Sequence, residues 1–305
     1  MLYQAIRTAL TLRSDFLRRR QQARLKRWVA RRDAEKSAEP LAPRRGKSLY
    51  AAPIGAAGKE LLAKLITKWG YEQFDYLIFV YDGSRFDEAI FSRCTFITEP
   101  GIVYQFFKKY LSPERCSAYD YIILGIEDVD SDDFSWSRFI AIMQSNRLDM
   151  ASPALSARSH SPHAIMFQQA GGVGRLVDVI EVFLTVFEAR AWPAFWALIE
   201  DDYNYWGWGY VQLAQAACAY KMGIVDSETI TVTRPPSFKQ ESQDEMRRFL
   251  RSHSQYRRAR FCSYGELKPA AGSFGYPAGI LDEAVAQDPA ASMQSIRDTH
   301  RQGMT

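Results

Sequence analysis

Apolar residues recur along this chain in two different rhythms. At the start, Leu2, Ile6 and Leu10 are spaced by four, and Phe16, Leu17, Leu25, Trp28 and Val29 extend an imperfect stripe of helical period. Arg18, Arg19, Arg20, Arg24, Lys26, Arg27, Arg31 and Arg32 fill the positions between, which predicts one long basic helix. Pro40, Pro43 and the basic run 44–47 read as a linker.

From Ser48 onward short apolar runs alternate with helical stripes. Residues 48–54 and 76–81 predict buried strands, the second closed by Asp82-Gly83. Between them, 59–69 predicts a helix with Leu61, Leu62, Leu65 and Ile66 inward. A helix over 102–111, a strand over 121–126, a helix over 139–147 and a short strand over 149–153 follow. Residues 176–187 form one β-branched and aromatic run. Helices over 192–201 and 211–220, then strand pieces at 223–225 and 229–232, close the pattern. Such alternation predicts an α/β layered domain around a mostly parallel mixed sheet. Beyond Pro235-Pro236 the rhythm fades: 245–252 is charged and helical, 268–279 is rich in Gly, Pro and Ala, and 284–305 has few apolar residues. The expected organisation is a basic helix and linker over 1–47, an α/β domain over 48–238, and a peripheral helical or partly disordered extension over 239–305.

Composition narrows the class. At 305 residues, 47% hydrophobic and 13% aromatic, the chain can bury a large core and does not read as disordered. No stretch approaches the roughly 20 uncharged apolar residues of a membrane span. Arg7 and Arg13 interrupt the first apolar stretch, so no secretory leader is expected. Cys94, Cys116, Cys218 and Cys262 lack metal-ligand spacing and read as free thiols in a reducing cytoplasm. Charge is uneven: residues 1–47 carry 14 Lys or Arg against 4 Asp or Glu, and since the whole chain is +4 the remainder is −6. The basic arm, residues 1–32, suits an anionic membrane surface with Trp28 at the interface, or packing on its own domain or a partner. A pI of 8.8 set by that arm is no signal for nucleic acid, and no nucleic-acid partner is expected.

The chemistry concentrates in two places. After the apolar run 121–126 stand Glu127, Asp128, Asp130, Asp132 and Asp133. In an open α/β sheet the carboxyl ends of the strands are the ligand edge. Carboxylates there can hold Mn2+ or Mg2+, and the cation a diphosphate. Asp128 is the leading candidate ligand, with Asp130 beside it in a D-x-D spacing. The bland alternative is that Asp130, Asp132 and Asp133 cap the next helix in solvent. The second place is 203–210, with five aromatics in eight residues. The flat faces of Tyr205, Trp206 and Trp208 suit stacking on a sugar ring, and a core plug is the alternative. Lys108 and Lys109 can reach a phosphate or simply end a solvated helix. His160 and His163 lack a third metal partner, and Gly171-Gly172-Val173-Gly174 lacks the phosphate-loop lysine.

Several short segments fall in a telling order: Phe79-Val80-Tyr81-Asp82-Gly83, Tyr119-Asp120-Tyr121-Ile122-Ile123-Leu124, Glu127-Asp128, Ser152-Pro153-Ala154-Leu155, Val186-Phe187, Ala191-Trp192, Trp206-Gly207 and Gly223-Ile224-Val225-Asp226-Ser227-Glu228. In order and spacing, residues 48–238 resemble the domain-of-unknown-function 707 family, whose members resemble GT-A glycosyltransferases. That resemblance implies a GT-A-like domain binding a nucleotide-sugar donor, with a metal on the diphosphate. By it, Glu127 and Asp128 match the acidic motif and Asp82 a strand-end acid on the nucleotide side. Glu181 matches an acid on a later central strand, and Asp226 and Glu228 the closing strand. The chain departs from the pattern at Ile126, where the family has an acid, and at Val232, where it has His. It departs again after Trp206-Gly207, where an acid is expected. Asp130 is then the candidate to replace the lost ligand, and Asp201 or Asp202 the candidate base beside Glu181. The expected activity is sugar transfer to a glycan or lipid-linked acceptor by a cytoplasmic protein, peripheral at the membrane through its arm. The alternatives are a glycosyltransferase-like binding protein without turnover, or a transferase in which Lys or Arg replaces the cation.

Overall fold

A computed structural model describes residues 2–36, 46–161, 163–201, 220–235, 240–256 and 258–270. Residues Met1–Ala271 form one compact unit. The predicted basic helix forms as α1 (Leu2–Lys36). The α/β core follows as β1 (Ser48–Pro53), α2 (Lys59–Trp69), β2 (Phe74–Val80), β3 (Thr95–Thr98), α3 (Val103–Tyr110), α4 (Pro113–Cys116) and β4 (Tyr121–Gly125). Then come β5 (Val129–Asp130), α5 (Trp136–Ser145), β6 (Met150–Leu155), β7 (Arg175–Val177), β8 (Leu184–Glu188), α6 (Trp192–Trp196) and β9 (Met222–Val232). Helix α7 (Gln240–Ser252) and strand β10 (Ser263–Glu266) end the described chain.

The strands order as β10-β7-β9-β6-β8-β4-β1-β2-β3, with β5 paired to β9. Strands β1, β2, β3 and β4 are parallel neighbours, and β6 runs parallel to β9. Strand β8 is antiparallel to both β4 and β6, so those two share one direction. The result is the expected α/β layered fold, a mixed sheet with most strands aligned. Strands β1, β4 and β6 are buried along their whole length, which is why they read as unbroken apolar runs.

Three local expectations need correction. The run 176–187 is two strands in different parts of the sheet: β7 pairs with β9 and β10, while β8 pairs with β4 and β6. Asp178 makes the break, its buried carboxylate accepting the N–H groups of Arg260 (2.7 Å) and Cys262 (2.8 Å). The pieces 223–225 and 229–232 are one strand, β9, whose register against β6 slips after Pro153 and passes over Asp226–Glu228. The helix expected over 192–201 tightens beyond Trp196, where Leu198 and Ile199 donate three residues back. The helix expected over 211–220 lies outside the described residues save for Tyr220.

The second half of α1 docks on the sheet. Leu25 and Val29 join the core, and the Gln22 amide donates to the Ser263 carbonyl at 2.8 Å. Arg32 and Asp149 form a buried ion pair, and Lys221 holds Asp33 at 2.7 Å. Over residues 11–20 every side chain but the half-buried Leu17 is exposed, Leu12 at 65% and Phe16 at 63%.

Candidate functional site

The carboxyl ends of β1, β2 and β4, with the chain leaving β9, meet at one edge of the sheet. After β1 the chain makes a single tight turn over Ala56–Gly58 before α2. Two glycines let it pass close to acids. A Cβ on Gly55 would stand 2.6 Å from an Asp82 carboxylate oxygen, and one on Gly58 would stand 2.5 Å from the Glu127 Cβ. No larger residue fits either place without moving the acids.

Each acid of the edge has a different environment. Asp82 accepts from the Ala56 N–H (2.8 Å) and the Ser84 N–H (3.0 Å). These amides, Ala56 first, hold its carboxyl below the usual aspartate range. Glu127 is a hub: Oε2 accepts from the Gly55 N–H (2.9 Å) and the Tyr81 hydroxyl (2.6 Å), and Oε1 pairs with Arg234 Nη2 (2.7 Å). The Tyr81 phenol is pushed up, by burial first and by the Glu127 hydrogen bond second. Asp128 is fixed through its backbone carbonyl, which accepts the Thr233 N–H (2.9 Å) and hydroxyl (3.0 Å). Its carboxylate Oδ1 is buried without a hydrogen-bond partner. Burial pushes the Asp128 carboxyl up, the Arg234 charge pulls it part of the way back, and Glu127 adds to the rise.

The remaining acids of the cluster turn elsewhere. Asp130 Oδ1 accepts the Asp132 N–H at 3.0 Å, closing a local turn. Asp133 lies 3.5 Å from Arg158, and Lys68 donates to the Ser131 carbonyl at 2.8 Å. None of the three caps α5: its flanking Ser135 N–H is taken by Glu228 at 2.6 Å. Glu228 also binds Arg138 (2.6 Å), and Asp226 pairs with buried Arg175, so both acids of the closing strand are engaged in ion pairs. Ile126 and Val232, the two departures from the family pattern, are buried aliphatics.

Lys108 is directed away from the acid edge. Its ammonium lies 3.9 Å from the Trp196 ring centroid, and the Trp196 indole donates to the Lys108 carbonyl at 3.0 Å, so the pair staples α3 to α6. Glu181 is buried in the connection between β7 and β8, not on a strand, with Oε1 3.1 Å from His163 Nε2. That connection reaches the same sheet edge, because Leu184 pairs with Gly125 at the end of β4. Asp201 is an exposed turn residue. Asp202, Tyr205, Trp206 and Trp208 lie outside the described residues.

Arg234 is the functional candidate that sequence reasoning missed, and His163, weighed there with His160 for metal, gave no sign of its pairing with Glu181. A basic residue just past a closing strand carries no signal by itself, and only the fold sets it against Glu127. Among the described residues no group of three His, Cys, Asp or Glu side chains is placed to hold a metal ion.

Among solved structures the chain is similar to S. aureus TarS 1-349, at 9% identity and a TM-score of 0.43, covering 68% of this chain and 71% of that one. The same protein in complex with UDP is similar at 10% identity and 0.42, covering 67% and 64%. A protein of Desulfovibrio desulfuricans G20, described as a nucleotide-diphospho-sugar transferase, is similar at 11% identity and 0.32, covering 66% and 76%. No curated protein matches. The family described as Protein of unknown function (DUF707) matches over residues 7–177 and 174–268, nearly the whole described chain, and the protein belongs to it.

Proposed function

We propose that this protein is a GT-A-like glycosyltransferase that takes a nucleotide-sugar at the acid edge and passes the sugar to a glycan or lipid-linked acceptor. The observation that carries the reading is the buried, unpartnered Oδ1 of Asp128 beside Arg234, at the strand ends where α/β sheets bind ligands. A diphosphate needs positive charge, and Arg234, 42% exposed while paired with Glu127, offers it. Three carboxylates, Asp82, Glu127 and Asp128, stand against that one guanidinium. This imbalance, with the unpartnered Asp128 oxygen, fits Mn2+ or Mg2+ arriving with the nucleotide. Asp128 is the residue that would hold it, and Asp130 is tied up in its turn. When bound, such a cation neutralises charge on the departing diphosphate. Glu127 serves as the post that orients Tyr81, Arg234 and the glycine turn. Asp201 and Asp202 remain candidate bases, and Tyr205, Trp206 and Trp208 candidate sugar platforms.

Calorimetric titration with UDP and GDP, with Mn2+ and with EDTA, tests this. Binding that is stronger with Mn2+ and falls at least about tenfold in Asp128→Ala is the expected result. A parent protein silent to both nucleotides would refute the reading. The rival, binding without turnover, draws on Ile126 and Val232, which put hydrocarbon where the family pattern has an acid and a histidine. Bound nucleotide with no sugar released from any donor would favour it.

The exposed stretch 12–20 of α1 suits an anionic bilayer. Leu12 and Phe16 share a face, and Arg13, Arg18, Arg19 and Arg20 are exposed around them. No described helix is long and apolar enough to cross a membrane. Co-sedimentation with phosphatidylserine vesicles at low salt, lost in Leu12→Asp/Phe16→Asp, is expected. Equal pelleting of parent and variant would rule the helix out as the anchor.

A further inference from the structure

Beside the acids already described, one more side chain near this edge of the sheet is held from three directions. His163 follows the carboxyl end of β6, with Nε2 facing buried Glu181 Oε1 at 3.1 Å. The Phe261 ring lies over the imidazole, centroids 4.6 Å apart. Phe261 sits at φ 52°, a left-handed conformation that a bulky residue rarely adopts. What holds it there is Asp178, which accepts the N–H of the residue on either side, Arg260 and Cys262. Asp178 and Glu181 belong to one connection, so the same loop forces the ring onto the imidazole and supplies its carboxylate partner. Buried Arg175, paired to Asp226, donates to the carbonyls of Ile165 and Phe167 and pins the chain just after His163. Strain kept in place by surrounding bonds is a feature of working sites.

We infer that His163, in place of Asp201 or Asp202, is the general base of the proposed transfer and that Glu181 positions it; the inference rests on the glycosyltransferase reading. A carboxylate at Nε2 keeps the proton on that nitrogen and leaves Nδ1 with its lone pair. No described residue bonds to Nδ1. The Nδ1 lone pair takes the proton of the acceptor hydroxyl as that oxygen bonds to the anomeric carbon. The bond from the anomeric carbon to the diphosphate oxygen breaks, and its electron pair leaves with the nucleoside diphosphate. The imidazolium formed is stabilised by Glu181 and returns its proton to solvent. Glu181, too buried to meet a sugar itself, acts through the imidazole.

The test uses the full chain and a panel of UDP-, GDP- and dTDP-sugars with water or simple glycosides as acceptors, following nucleoside diphosphate release. His163→Ala is expected to lower kcat at least about 100-fold with KM for the donor and Kd for UDP unchanged. Added imidazole should restore part of that rate. Glu181→Gln should lower kcat less, again without moving KM, and Glu181→Asp should recover part of it. His163→Gln, which keeps the shape, replaces the alanine variant if melting shows that one unfolded. Variants within about threefold of the parent kcat would overturn the inference while leaving the transferase reading intact. Nucleotide binding with no donor cleaved would overturn it in favour of a binding protein. Absence of nucleotide binding would remove both together.

Discussion

Arg32→Ala is expected to lower the unfolding free energy by about 3–5 kcal/mol, the cost of leaving one charge of a buried pair alone. The Asp149 carboxylate that pairs with Arg32 also accepts the Lys221 N–H at 2.7 Å, so it cannot turn out to water without breaking the junction of β6 and β9. Lys221, beside it, is itself pushed down by burial and supported by Asp33. Urea unfolding should show a lower midpoint at unchanged slope, since one docked helix turn adds little to the surface exposed. Replacing the pair together, Arg32→Met with Asp149→Leu, should recover only part of the loss, because hydrocarbon can stand in for the ion pair but leaves the Lys221 N–H without its acceptor. A loss below about 1 kcal/mol for Arg32→Ala would mean that α1 does not dock as described.

Glu127→Ala should cost about 2–4 kcal/mol and also abolish nucleotide binding. Three donors lose their acceptor at once: the Gly55 N–H, the Tyr81 hydroxyl and the Arg234 guanidinium. The first two hold the glycine turn against the acid edge, so the damage reaches Asp82 through Ala56. Glu127→Gln separates charge from shape. It keeps an acceptor and the packing against Gly58, and should retain most of the stability while losing the grip on Arg234. Equal melting of parent and Glu127→Ala, by calorimetry, would show that the hub carries no weight. Equal nucleotide affinity in Glu127→Ala would show that it does not organise the site.

The central strands are legible in the sequence because layers cover both their faces, and burial leaves an apolar run with sharp ends. Edge strands leave no such mark. In β3 the threonines of Thr95–Thr98 are exposed and the residues between only half buried, and β10 contains Gly265. The single run 176–187 hides two strands because the acid that divides it, Asp178, is buried and bonded to a partner 84 residues away. Glu127 and Asp128 stand out because acids follow an apolar strand without a spacer. Arg234 does not, since a charged residue after a strand looks the same whether it meets water or another side chain, and His163 shows only as a neighbour of His160, with nothing to mark Glu181 as its partner. Their roles exist only in the paired geometry, and helical or strand period carries no trace of it.

The docking of α1 has a consequence for biogenesis. Its anchors are made long after it: Asp149 lies 117 residues downstream of Arg32, Lys221 lies 188 beyond Asp33, and Ser263 lies 241 beyond Gln22. Contacts so distant in sequence carry a heavy loop-closure penalty and form late. During vectorial synthesis the helix therefore emerges before its anchors and waits, its leucines and arginines uncovered, until nearly all of the sheet has left the ribosome. The helix takes its seat only after those distant anchors exist. In that interval it is the part most open to chaperones and to any negatively charged surface nearby.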